Sequence, residues 1–448
     1  MDQRLYQTYI NILEEELVPA MGCTEPISVA YCAAKAAQTL GTPVETVQLK
    51  ASANIIKNVK SVVVPNTGGL RGLAAAAAAG IVAGDTEKEL EVLSAVTPEQ
   101  IDQIRVFLDT VPVTVERSEN DYIFYISVCL FGGGHTALCE IAGSHTNIIC
   151  LERDGKPQLP GTKRFSEAGS QEAGMEKATC ADFMNADEKK ESVSDADYSL
   201  LSVEEIVRFA NEVKLDDVRQ LLSRQIEYNT AIAAEGLKNE WGANIGRILI
   251  RSYGNSVHNR AKAWAAAGSD ARMGGCELPV VINSGSGNQG LTASLPVIVY
   301  AREMGASEEQ LYRALVISNL VTIHLKTGIG RLSAYCGATS AGCGAGAGVT
   351  YLYGGDYREI AHTIVNAVAI NSGMICDGAK ASCAAKIASA VEAGLLGMQM
   401  QLHGSEFCDG DGIVVKGVEN TIHNVGELAR EGMLETDREI IRLMIQKV

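Results

Sequence analysis

Three stretches set cysteines beside glycines and other small residues. They are "PAMGCTEP" with Cys23, "GRLSAYCGATSAGCGAGAG" with Cys336 and Cys343, and "GMICDGAKASC" with Cys376 and Cys383. Small neighbours at the edge of a helix leave room for a bulky inorganic cluster, and a helix terminus favours the thiolate that a metal requires. None of the twelve cysteines falls in a C-x-x-C pair, which sets zinc ribbons and thioredoxin-like redox motifs aside. Dispersed cysteines are more often structural than ligating. Cys343, in its Gly-Ala run, reads as packing, and Cys32, Cys129, Cys139, Cys150 and Cys276 read as ordinary buried thiols.

A second feature is Gly285-Ser-Gly-Asn-Gln-Gly290, a literal G-x-G-x-x-G between an apolar run and a helix-like stretch. With 45 glycines in 448 residues, such a match arises readily by chance. A dinucleotide-binding unit also needs a further strand, and here more helical sequence follows "TASLPVIVYAREMG". The glycines still bare the backbone, and a helix starting near Gly290–Leu291 would offer N–H groups to a carboxylate. A tight helix–helix connection explains the same residues.

The elements that must position these residues separate into zones. Residues 1–41 read as two helices packing on the larger helical domain. Residues 42–155 read as a small α+β domain, with strand-like "VETVQLKASA", "VKSVVVPN", "VPVTVERS", "YIFYISVCLF" and "NIICLERDG" around one helical insert, "GLRGLAAAAAAGIVAG". Residues 156–198 read as a polar linker or irregular segment, and 199–448 as a helical domain. The expected class is therefore α+β, with a mainly α-helical larger domain and a smaller α+β domain inserted near the N-terminus.

The net charge of −16, without a Lys/Arg cluster, argues against nucleic acid as a partner. The N-terminal residues lack the pattern of a secretory signal, and "LRGLAAAAAAGIVAG" is too short to span a bilayer, so a cytoplasmic protein that does not engage a membrane is expected. The residues leave open whether the α+β domain binds a regulatory ligand, meets a partner, or builds a homodimer.

Taken together, "GCTEP", "NSGSGNQG", "GRLSAYCGA" and "SGMICDGAKASC" resemble the L-cysteine desulfidase family, which is related to the alpha chain of iron–sulfur L-serine dehydratase. The motifs occur in the family's order with similar separations, most strongly over residues 280–390. The resemblance implies a helical catalytic domain with an oxygen-sensitive 4Fe-4S cluster and no pyridoxal phosphate. It points to Cys336 and Cys376 as ligands. The desulfidase pattern adds Cys23, the dehydratase pattern Cys383, so three of these four are expected. The six residues between Cys376 and Cys383 are fewer than in the dehydratase, and its proline before the cysteine is missing. The reading leans to Cys383, leaving Cys23 as a ligand or a substrate-contacting thiol.

Three thiolates would leave one iron open as a Lewis acid toward a β-thiol or β-hydroxyl. Elimination from L-cysteine would then give pyruvate, ammonia and sulfide, and from L-serine water in place of sulfide. The loop Asn283, Ser284, Gly285, Ser286, Gly287 and Asn288 would grip the substrate carboxylate. Glu25 would meet the ammonium group or cap its helix, and Arg331 would pair with the carboxylate or with an acidic neighbour. Lys326, His324 and Lys380 are the candidate bases, although both lysines could equally be solvated. His135 and His145 read as strand-end residues. Three other classes compete: a non-catalytic iron–sulfur sensor, a pyridoxal-phosphate lyase, for which no lysine and phosphate cup is visible, and a cluster-free ligand-binding protein.

Overall fold

The structure, a computed structural model, describes residues 1–120, 122–159, 196–330 and 332–445. The architecture is α+β and mainly helical. The chain forms two compact units, residues 1–23 with 196–448 and residues 24–195. The expected segment 156–198 lies largely outside the described residues, apart from a two-residue strand at Lys156–Pro157 and the first residues after 195.

In the smaller unit a sheet runs in the order β3-β2-β4-β5-β6-β7. Its strands are β2 (Thr46–Ala51), β3 (Val113–Arg117), β4 (Tyr125–Gly132), β5 (His135–Ala142), β6 (Ile148–Arg153) and β7 (Lys156–Pro157). Among the described residues only β2 and β3 pair in parallel in this sheet. Helix α2 (Thr24–Leu40) covers β4 and β5, and α4 (Gly72–Ala83) packs on α2. The approach is close: a Cβ on Gly80 would lie 2.0 Å from the Ala30 carbonyl oxygen. The boundary between units thus falls after Cys23 rather than after residue 41, because the small-residue face of α2 buries itself on α4 and the sheet.

Three local expectations differ from the structure. "VKSVVVPN" is not a strand: α3 (Ala53–Val59) ends on its first residue, Val59, and Val63 makes a single bridge to Arg71. The hairpin partner β5 went unread, although Gly133 and Gly134, both at positive φ, supply the turn that joins it to β4. Helix α5 (Pro98–Thr110) was also missed, despite a capping box between Thr97 and Gln100 and a proline in its first turn.

The larger unit opens with α1 (Gln3–Glu16) and β1 (Pro19–Met21). After residue 195 come α6 (Val203–Glu212), α7 (Leu215–Lys238), α8 (Ile245–Tyr253), α9 (Val257–Met273) and β8 (Pro279–Val281). Then follow α10 (Gly287–Met304), α11 (Glu308–Ile329), α12 (Gly337–Leu352), α13 (Tyr357–Ile370), α14 (Cys383–Leu402), α15 (Val418–Glu427) and α16 (Leu434–Ile445). Strand β1 pairs antiparallel with β8 alone, so the run before the glycine motif belongs to a two-stranded ribbon, not a parallel sheet. Helix α12 sits at the centre, packed on α10, α11, α13 and α14. Its Gly and Ala residues let these neighbours approach closely, and side-chain volume is replaced by backbone contact.

Candidate active site

Cys336 is the N-cap of α12 and Cys383 the first residue of α14, so two helix N-termini face the thiols. Cys376 lies in the loop before α14. This loop is tied to the Cys336 segment by an antiparallel bridge between Tyr335 and Ile375, with Cys336 N–H donating to Met374 O (3.0 Å) and Cys376 N–H to Ala334 O (2.6 Å). The three cysteines are electrostatic neighbours. Burial pushes the Cys336 thiol up to about 12, helped by the charge of Cys376 and then Cys383, while the Ala338 N–H and Lys386 oppose the rise. Burial also raises the Cys383 thiol, and Cys376 adds to it. Unrelieved, such a pocket keeps thiols protonated, so thiolates here require a bound cationic partner.

Positive charge is at hand in Lys386, absent from the sequence expectations. It ion-pairs with Asp377 and donates to Ile375 O at 2.8 Å. Lys380 also binds Asp377 (2.5 Å) and the carbonyls of Asp377 and Gly378. Burial works against the Asp377 carboxylate, but the hydrogen bonds and charges of both lysines bring it down to about 2.

The glycine motif forms a tight turn followed by a helix. Asn283 and Ser286 bond in both directions, and Ser284 (φ 49°) and Gly285 (φ 76°) occupy the corner in left-handed backbone, the geometry of a type I′ turn. Helix α10 begins at Gly287, three residues before the expected Gly290. Its first N–H groups therefore point out of the turn as an anion cradle. The Arg272 side chain lies against Gly287, where a Cβ would come 2.4 Å from Nε, and the same Nε donates to Gly22 O at 2.6 Å. Arg272 is 2% exposed, and nothing in its sequence context marked it. It fastens the residue before Cys23, itself buried, to the start of α10.

The side chain of Asn283 faces inward. Its Nδ2 donates to Asn319 Oδ1 (3.0 Å), its Oδ1 accepts from Ser284 Oγ (2.9 Å), and Asn319 exchanges two bonds with Gln225. Asn229 supports the other side, accepting from Val281 N–H and donating to Ser294. Asn283 thus shapes the loop.

The cradle and the cysteines adjoin. A Cβ on Gly337, the residue after Cys336, would lie 2.6 Å from the Gln289 carboxamide carbon. Around this contact Asn288 Oδ1, Gln289 Oε1 and Ser340 Oγ are buried without a hydrogen-bond partner. Buried polar atoms left unmatched in this way call for a partner, a ligand or an ordered water.

The candidate bases fare differently. His324 Nε2 contacts Glu419 at 2.7 Å, and Glu419 also accepts from Val203 N–H, so this histidine joins α11, α15 and the start of α6. Lys326, in the last turn of α11, is buried at 5% exposure rather than solvated, and Lys380 is half-buried. Glu25 belongs to the smaller unit, and Arg331 lies outside the described residues. His135 pairs with Asp154 at 2.8 Å at the start of β5, and His145 packs edge-on against Phe124. Cys343 is buried inside α12.

Comparison with known proteins bears on this geometry. The model of the serine dehydratase alpha chain family matches residues 87–442. The chain belongs to the serine dehydratase alpha chain family. It is 55% identical over 444 residues to a UPF0597 protein of Desulfitobacterium hafniense (strain Y51), covering 99% of this chain and 98% of the relative. It is 48% identical to a UPF0597 protein of Lachnoclostridium phytofermentans, covering 98% and 100%, and 41% identical to one of Treponema denticola, covering 100% and 99%. Membership of the serine dehydratase alpha chain family points to a lyase of the iron–sulfur type. Among the described residues no helix is long and apolar enough to cross a membrane.

The thiols fit such a cluster. Among the described residues no three His, Cys, Asp or Glu side chains converge as ligands of one metal ion. A cubane cluster instead takes its thiolates on separate irons, so it suits thiols that feel one another's charge without converging.

Proposed function

We propose that the protein is an iron–sulfur-dependent β-eliminating lyase acting on L-cysteine, with L-serine as the second substrate. The supporting observation is the contact between Gln289 and Gly337, which sets an anion cradle against the N-terminus that carries Cys336. Cys336 and Cys376 hold the cluster, with Cys383 or Cys23 as third ligand. A bound 4Fe-4S cluster supplies an iron without a protein ligand, a Lewis acid toward the leaving thiol or hydroxyl.

The chain's own residues do the rest. The N–H groups of Gly287, Asn288 and Gln289 donate to the substrate carboxylate at the positive end of α10, with the Arg272 guanidinium beside them. Gln289 Oε1 and Asn288 Oδ1 are acceptors for the substrate's N–H donors. Lys326 is the base we assign for the α-proton. The burial of Lys326 in the last turn of α11 is the observation behind this choice. Removal of the α-proton and departure of the β-substituent leave aminoacrylate, which hydrolyses to pyruvate and ammonia. The turn at Ser284–Gly285 keeps the backbone close to the substrate.

The test is iron and acid-labile sulfide content, with the visible spectrum, on protein purified without oxygen, followed by pyruvate release from L-cysteine and L-serine. Iron and sulfide near four per chain and pyruvate formation are expected. A colourless protein that resists anaerobic reconstitution overturns the reading.

A further inference from the structure

Of the three neighbouring thiols, Cys336 and Cys383 stand at helix starts, whereas Cys376 lies in a loop and needs other support. On one side the bridge between Tyr335 and Ile375 supplies it, with Cys376 N–H donating to Ala334 O. On the other side stands Lys386. It follows Cys383 by one turn, on the same face of α14. Its Nζ donates to Ile375 O at 2.8 Å and ion-pairs with Asp377, so one ammonium group holds both chain neighbours of Cys376.

Asp377 also takes Lys380 (2.5 Å), but that lysine turns back on its own loop, donating to the carbonyls of Asp377 (3.0 Å) and Gly378 (3.2 Å). Two lysines on one carboxylate leave a net positive charge beside Cys376. The Lys386 side chain is partly buried, so its charge is less screened than one on the surface. The ammonium group is also an electrostatic neighbour of all three thiols, Cys336, Cys376 and Cys383. Three thiolates around an iron–sulfur cluster gather negative charge, and reduction adds one more. A cation fixed beside the ligands therefore favours the reduced form. On the reading that such a cluster is bound, we propose that Lys386, anchored by Asp377, is a positioning residue that seats Cys376 and sets the reduction potential of the cluster.

The test is the midpoint potential of the anaerobically reconstituted full chain, read by electron paramagnetic resonance during stepwise reduction. Lys386→Met removes the charge at similar side-chain length. It is expected to disfavour reduction by about tenfold, a fall of about 59 mV for one electron. Lys386→Arg keeps a charged donor and restores the potential. Lys262→Met, which strips a lysine from Glu392 further along α14, leaves it unchanged. If Lys386→Met takes up no iron while Lys386→Arg does, the charge is needed to seat the cluster and the inference stands. A Lys386→Met cluster at the wild-type potential, an arginine variant that restores nothing, an equal fall in Lys262→Met, or loss of iron from both Lys386 variants overturns it. Wild type that takes up no iron sinks the lyase reading itself, and this inference with it.

Discussion

Gly342 and Gly394 touch backbone to backbone where α12 crosses α14: a Cβ on Gly394 would lie 2.0 Å from the Gly342 carbonyl oxygen. One turn on, a Cβ on Gly346 would meet the Gly394 carbonyl at 2.5 Å. These are the two helices whose N-termini carry Cys336 and Cys383. Their crossing therefore sets how the two thiols face each other. Gly394→Ala forces the helices apart and is expected to cost about 1–3 kcal/mol. A lower thermal midpoint together with reduced iron per chain checks this; an unchanged iron content would separate the crossing from the site.

Single alanine substitutions distribute the ligand roles. Cys336→Ala and Cys376→Ala are expected to abolish iron retention and pyruvate formation after anaerobic reconstitution. Of Cys383→Ala and Cys23→Ala, one loses the cluster and the other keeps it. Retention of four irons by both variants, or by either of the first two, contradicts the three-thiolate arrangement.

The asparagine network under the glycine loop is a stability element. Asn229 bonds Val281, Gly290 and Ser294, all buried. Asn229→Ala strands those partners and is expected to destabilise the chain by about 2–4 kcal/mol. Denaturant unfolding reads the loss, and residual activity at low temperature should show a raised KM as the cradle loosens.

Asp270 gives a pH signature. It is fully buried and accepts backbone N–H groups from Ala243 and Gly246 at the start of α8. Burial raises its carboxyl from 3.8 to about 6, with those N–H groups opposing the rise. The folded state then holds the proton more tightly than the unfolded one. The resulting stability is present at low pH and is lost as the pH rises through about 6, by roughly 3 kcal/mol at most. An asparagine at this position cannot titrate, so wild type should gain on Asp270→Asn in melting temperature between pH 7.5 and pH 5. A constant difference across that range would refute the assignment.

Much of the architecture could be read directly from residue order. Periodicity marked the long amphipathic helices, and Gly41 at positive φ closes the helix that "PISVAYCAAKAAQTLG" announced. Among the described residues no strand follows α10, in keeping with the rejection of the nucleotide fingerprint, because that judgement needs only local element types. Short elements escaped: β5 shows little alternation in burial, and only Ile104 of α5 is buried, so neither left a periodic signal.

The sequence by itself determined which residue types could do chemistry: the small-residue cysteine motifs and the glycine turn are local patterns. Their grouping was settled by tertiary structure alone. Gln289 meets Gly337 across 48 positions, Arg272 reaches Gly22 across 250, and Lys386 joins the cysteines through a loop it does not itself form. Such contacts depend on helix crossings and burial, which are properties of the packed chain; no single stretch of residues encodes them.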